Sequence, residues 1–233
     1  GGRKSMNFKL VFKLAGKTLL VAAACMVLPL LVTLLYREDP MPFLSAMGIT
    51  ALAGLLLSLL RADTRFNSRE GFFSAGLIWL LVGFFGALPF QFSGYFPSFV
   101  DCLFESISGF TTTGASILTA VEPLPKGILF WRSFIHWLGG MGILVLTIAL
   151  LPSLGARTLH VMKAESPGPI ISKLVPKSSQ SSKILYGIYL VLTVLVILAL
   201  RAAGMDWFDS VTHAFATAGT GGFSTRNLSV GAY

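Results

Sequence analysis

Asp101-Cys-Leu-Phe-Glu-Ser-Ile-Ser-Gly-Phe-Thr-Thr-Thr-Gly-Ala-Ser116 is the stretch on which the reading of this chain turns. It lies between two long apolar segments, yet it is too short and too polar to be a third. A helix of about 10 residues reaches roughly 15 Å, half of a ~30 Å hydrocarbon core. It then runs into Thr111-Thr112-Thr113-Gly114, where a glycine after three hydroxyl residues suits bent backbone better than continued helix. Non-helical backbone at membrane depth is tolerated only inside protein or against a water-filled cavity. A half-spanning helix aimed at such a loop is one way to build an ion filter.

The stretch recurs. Asp209 to Ser224 reads Asp-Ser-Val-Thr-His-Ala-Phe-Ala-Thr-Ala-Gly-Thr-Gly-Gly-Phe-Ser, 108 residues further on. Asp209 matches Asp101, Thr220 matches Thr112, Gly222 matches Gly114 and Ser224 matches Ser116, without a gap. Each copy follows a span of the same orientation, so the two make a parallel repeat of span, re-entrant helix, loop and span. In such loops glycine lets the chain turn carbonyl oxygens inward, where they replace the hydration shell of a cation. The candidate filter is therefore Thr112, Thr113 and Gly114 with Thr220, Gly221 and Gly222. Each pore helix also ends with its negative dipole end towards the site. With no carboxylate in the filter itself, a desolvated monovalent cation fits better than a divalent one.

Three carboxylates flank these loops. Asp101 and Asp209 fall in the first turns of their helices, where the dipole favours an anion, and they also suit cation attraction at a pore mouth. Glu105 needs a partner or water at its depth. Arg132 is placed to snorkel or to meet Glu105 or Asp101. His213 replaces Glu105 in the second copy and reads, like His136, as a hydrogen-bonded structural histidine more than as a metal ligand or proton relay.

Composition sets the class. The chain has 233 residues, 54% hydrophobic and only 12% charged, with a mean hydropathy of +0.77. Soluble domains carry about 25% charged residues, so an integral membrane protein is expected. The net charge of +8 does not imply nucleic acid. Thirteen of the 18 basic residues lie in three stretches, Arg3 to Lys17, Arg61 to Arg69 and Arg157 to Lys183, which alternate with stretches poor in base. This is the positive-inside pattern, and it places the N-terminus in the cytoplasm. Cys25 and Cys102 are too few to staple such a fold. No cleavable signal peptide is evident, and Gly1 to Ser5 read as a cloning remnant before Met6.

Five spans follow, at about Thr18–Tyr36, Met41–Leu60, Gly71–Phe92, Gly127–Leu151 and Ile184–Leu200. Pro29 is expected to kink the first. Small residues, including Gly54 in the second span and Gly76, Gly83 and Gly86 in the third, are expected where another backbone packs closely. Gly139, Gly140 and Gly142 suit contact with a neighbouring helix or the pore loop. The expected organisation is an all-α membrane protein: a two-helix extension at 1–70, a first pore repeat at 71–151, a cytoplasmic linker at 152–183, and a second repeat at 184–233 that stops after its loop.

Phe110-Thr-Thr-Thr-Gly-Ala-Ser116, His136-Trp-Leu-Gly-Gly-Met-Gly142 and Ala218-Gly-Thr-Gly-Gly-Phe-Ser224 together resemble the bacterial TrkH family of potassium-transport subunits, in the Trk/Ktr/HKT superfamily. The resemblance covers nearly all of the chain after Met6. It implies four repeats around one pore, a filter glycine in each, K+ as the bound and transported ion, and location in the bacterial inner membrane. It also implies a homodimer with a cytoplasmic nucleotide-binding ring (TrkA-like) as gating partner. No covalent cofactor or catalytic residue is expected. The chain reaches Tyr233, just past the second loop, so it is expected to supply half of the filter and to need the remaining repeats. The other function class is an ion-coupled secondary transporter, a symporter with broken helices. An intramembrane enzyme built on Ser133 and His136 is disfavoured, since no acidic group orients them.

Overall fold

The computed structural model describes residues 7–61, 68–142 and 178–233. All the regular structure among them is helical, and four helices are long and apolar enough to cross a membrane: Phe8–Leu35, Met41–Ser58, Gly71–Ser93 and Ile184–Ala202.

The first of these is α1 (Phe8–Cys25) followed by α2 (Val27–Leu35), with a break at Met26. The break lies three residues before Pro29, as expected of a residue that has no N–H for the ladder and crowds the preceding turn. The helix begins ten residues earlier than the uncharged run, capped by the Asn7 side chain on Leu10 N–H at 3.2 Å. Lys9, Lys13 and Lys17 therefore ride on its N-terminal turns. A charge-free window marks the apolar part of a helix, and long basic side chains let the helix itself extend past it.

Helix α3 (Met41–Ser58) packs along α1. Gly16 and Gly54 meet at the crossing: a Cβ at Gly16 would stand 2.6 Å from Ser58 N, and one at Gly54 would stand 2.9 Å from the Gly16 carbonyl oxygen. This is the close approach expected of Gly54, and Gly16 is its partner.

Helix α4 (Ser68–Gly86) continues, after a break at Ala87, as α5 (Leu88–Ser93). Pro89 again follows the break. The Gly86 carbonyl at the break accepts from Trp131 Nε1 at 3.0 Å. Gly83 and Gly86 pack on Ile107 and Phe110. A Cβ at Gly76 would meet no described atom within 4 Å, so the close packing expected there is not found. Glycine in an apolar helix carries no mark of which face it lies on.

Next come α6 (Phe99–Phe110), the helix α7 (described over 126–142), α8 (Ser178–Ala202) and α9 (Trp207–Ala218). A core of Met26, Phe43, Phe90, Phe110, Trp131, Phe134 and Ile135 holds α7 among α2, α3, α5 and α6. The fourth expected span is helical through residue 142, and its remainder lies outside the described residues, as does most of the linker expected at 152–183. Cys25 and Cys102 are free thiols.

Candidate functional site

The site is built from α6, α9 and the loops that follow them. Each helix has 12 residues, starts at a side-chain cap and carries an aspartate in its first turn. Ser98 Oγ accepts from Asp101 N–H at 3.2 Å, and Asp206 Oδ1 accepts from Asp209 N–H at 2.8 Å. These caps satisfy amides that no helical carbonyl can reach.

The helix ends match bond for bond. Thr112 N–H donates to Gly109 O and Thr220 N–H to Thr217 O, at 3.0 and 2.9 Å. Thr113 and Gly114 both donate to Ser108 O, at 3.0 and 3.4 Å; Gly221 and Gly222 both donate to Ala216 O, at 2.9 and 3.3 Å. Backbone hand repeats too: φ is +57° at Thr112 and +72° at Gly114, +60° at Thr220 and +91° at Gly222. A threonine in the left-handed region is disfavoured by its branched Cβ. Its appearance at the same place in both loops marks a conformation imposed by the surrounding bonds.

Behind the loops a serine makes the same tie twice. Ser116 Oγ donates to Glu105 Oε1 at 2.9 Å and accepts from Leu118 N–H at 3.2 Å. Ser224 Oγ lies 2.8 Å from His213 Nε2 and accepts from Arg226 N–H at 3.0 Å. The middle of α6 and of α9 is thereby tied to the segment leaving its loop, through Glu105 in one copy and His213 in the other. His213 Nδ1 is occupied by Asp209 O at 2.8 Å. Among the described residues no cluster of three metal-ligating side chains occurs.

The three carboxylates have separate environments. Glu105 is fully buried and paired with Arg132, whose Nε and terminal nitrogen stand 2.8 and 2.7 Å from Oε1. It also accepts from Ile117 N–H at 3.2 Å. Asp209 is likewise buried and accepts from Thr225 Oγ1 at 2.6 Å, from Arg226 Nε at 3.2 Å and from the Tyr233 hydroxyl. Only Asp101 is partly exposed, and it accepts from its cap, Ser98 Oγ, at 2.9 Å. Glu105 and Asp209 thus stand inside the protein as anchors and not as open charges. The pairing of Glu105 with Arg132 is one expected from the sequence, whereas nothing in the sequence shows the Tyr233 hydroxyl on Asp209.

The two loops meet. A Cβ at Gly114 would collide with the Gly221 carbonyl, so the first and second loops touch through bare backbone. Beyond them Val121 N–H donates to Asn227 Oδ1 at 2.8 Å, and Asn227 N–H donates to Glu122 Oε1 at 3.3 Å. Arg132 spans both copies: besides Glu105 it donates to Ser116 Oγ and to Ser224 O, each at 3.2 Å, and its guanidinium lies 4.3 Å from the Phe223 ring centre. Helix α7 is fixed in turn by Glu38, whose two oxygens accept from Lys126 and Gly127 N–H at 2.6 and 2.9 Å. Farther along α7, a Cβ at Gly139 would strike Phe110 O, and one at Gly140 would stand 3.0 Å from Gly219 Cα. The six expected filter residues are all half-buried or exposed, and of these Gly114 and Gly221 are in direct backbone contact.

Fold and site define a helical membrane protein with two like half-helix-and-loop units joined at their loops. The family model for the cation transport protein TrkH matches residues 41–233. The chain belongs to the TrkH family, which is a family of transport proteins and not of enzymes. It is 42% identical to the Trk system potassium uptake protein TrkH of Halomonas elongata over 97% of this chain and 48% of that one. Against the protein of the same name from Escherichia coli K12 the identity is 42%, with the same shares of 97% and 48%. The crystal structure of the potassium transporter TrkH from Vibrio parahaemolyticus superposes with a TM-score of 0.84 at 36% identity, covering 98% of this chain and 46% of that one. The chain spans about half the length of these relatives.

Proposed function

We propose that this chain forms one half of a potassium-uptake pore, in which Thr112, Thr113, Gly114, Thr220, Gly221 and Gly222 supply backbone carbonyls to a dehydrated K+. The observation that carries the reading is the repeated backbone hand of two loops that touch at Gly114 and Gly221. Left-handed residues at alternate positions turn successive carbonyls towards one side, which is what a cation stripped of water needs. The names of the relatives support K+ as the ion. Glu105 and Asp209 serve this filter by holding its loops, while Asp101 and the α6 and α9 dipoles bias the local field towards cations. Further repeats complete the ring. The chain acts in the cell membrane with its N-terminus in the cytoplasm, as a homodimer under a nucleotide-binding ring; co-purification with such a ring tests that part.

The test joins residues 7–233 to the remaining half of the Escherichia coli relative and measures 86Rb+ uptake in cells lacking their own potassium uptake. Gly114→Ser and Gly222→Ser are each expected to let Na+ compete about tenfold better, a change of ~1.4 kcal/mol in relative affinity. Unchanged competition by Na+ in both variants would sink the filter assignment. Uptake that requires a co-transported ion would move the chain to the symporter class.

A further inference from the structure

His136 lies one turn beyond Arg132 on α7 and is wholly buried. Its Nδ1 donates to the Arg132 carbonyl at 3.4 Å. That bond holds the ring against its own helix and leaves Nε2 as an acceptor. Among the described residues Nε2 makes no hydrogen bond of normal geometry, although it lies against the Gly221 backbone. A buried polar atom without such a bond is uncommon enough to need a reason.

What faces it is the second loop, at three alternate positions. A Cβ at Gly219 would collide with the His136 carbonyl oxygen, and a Cβ at Gly221 would fall inside the imidazole. The Phe223 ring centre stands 4.1 Å from that of the imidazole. Residues 219, 221 and 223 therefore lean on His136, while Thr220 and Gly222, between them, take positive φ. On its other side the Gly221 carbonyl abuts Gly114. His136, Gly221 and Gly114 form a line of direct contact from α7 through the second loop to the first. Interiors packed this closely transmit a change of volume instead of absorbing it.

We propose that His136 is a positioning residue for ion selection: its ring is the wall that sets the Gly221 carbonyl, and with it the separation of the first and second filter loops. This rests on the filter reading above. It differs from a purely structural role in what it controls, namely the ratio of ions accepted and not the amount of folded protein. A carbonyl cage that relaxes by a fraction of an ångström loses its preference for the larger ion before it loses conduction.

The experiment uses the same fusion to the Escherichia coli half, with Gly222→Ser as the control. His136→Ala is expected to accumulate in the membrane, to retain 86Rb+ uptake, and to let Na+ compete about tenfold better, the order of one lost packing or hydrogen-bond contact at the site. Gly221→Ala is expected to abolish uptake, and adding His136→Ala is expected to restore part of it by clearing the collision. Should His136→Ala not accumulate, His136→Gln, similar in length without the flat ring, takes its place with the same readout. Unaltered Na+ competition in an accumulating His136 variant, while Gly222→Ser shifts it, overturns the proposal alone. Silent Gly114→Ser and Gly222→Ser together overturn the filter reading beneath it.

Discussion

At the residue scale the decisive side chain is Arg132. It is 2% exposed, and its charge is met by Glu105, which is 0% exposed. Removing one partner of a buried pair leaves the other uncompensated, at a cost of ~3–5 kcal/mol, while replacing both by apolar groups is often tolerated. Arg132→Met and Glu105→Leu are each expected to lower the thermal inactivation midpoint in detergent strongly, and the double variant is expected to recover most of the loss. Single variants as heat-resistant as the parent would show that the pair carries no such burden. His213→Ala tests the matching tie in the second copy: Ser224 Oγ loses a partner, for about 1 kcal/mol. That Glu105 needed a partner, and that Arg132 was a candidate, was legible from depth alone. The reach of Arg132 to Ser224 was not, because it crosses 92 residues of chain and ends on a backbone oxygen, which no side-chain pattern records.

At the scale of elements the sequence was most legible where a rule has a short range. The break expected at Pro29 follows from groups within about four residues of one another. The caps at Ser98 and Asp206 and the break before Pro89, which the sequence reading above does not include, obey equally local rules. The match of α6 with α9 was visible as aligned letters, and its bonds repeat at the same spacing. Glycine was less informative, since its meaning depends on the helix opposite. Gly16 and Gly54 separate α1 and α3 by nothing but backbone, whereas Gly76 faces open space among the described residues. Gly54→Leu is therefore expected to force the helices apart and cost ~1–3 kcal/mol. Gly76→Ala is expected to be neutral or to stabilise by about 0.5–1 kcal/mol, through the entropy glycine brings to the unfolded chain. Membrane accumulation and heat resistance of the two variants distinguish these cases; a harmful Gly76→Ala would mean that a partner covers this face.

At the scale of the molecule the helices sort charge to two ends. Lys9, Lys13 and Lys17 ride on the N-terminal turns of α1, and Arg61 follows α3 at the same end. At the other end a cavity of about 480 Å³ gathers Glu38, Asp39, Ser93, Tyr95 and Pro123 from three separate turns. Those turns are far apart in sequence, yet they share one face because each span returns the chain to the side it left. Basic residues are retained on the cytoplasmic side during insertion, so the orientation proposed above makes the lysine end the inner one and opens the cavity outward. Orientation is open to a direct measurement. With Cys25 and Cys102 replaced by alanine, Tyr95→Cys, at a side chain 51% exposed, is expected to react with a membrane-impermeant maleimide added to intact spheroplasts. Arg61→Cys is expected to react only after the membrane is permeabilised. The opposite pattern would invert the molecule and place the loops' exit on the cytoplasmic side. The pore helices would then point their negative ends outward, and Asp101 would face ions leaving the cell instead of ions entering it.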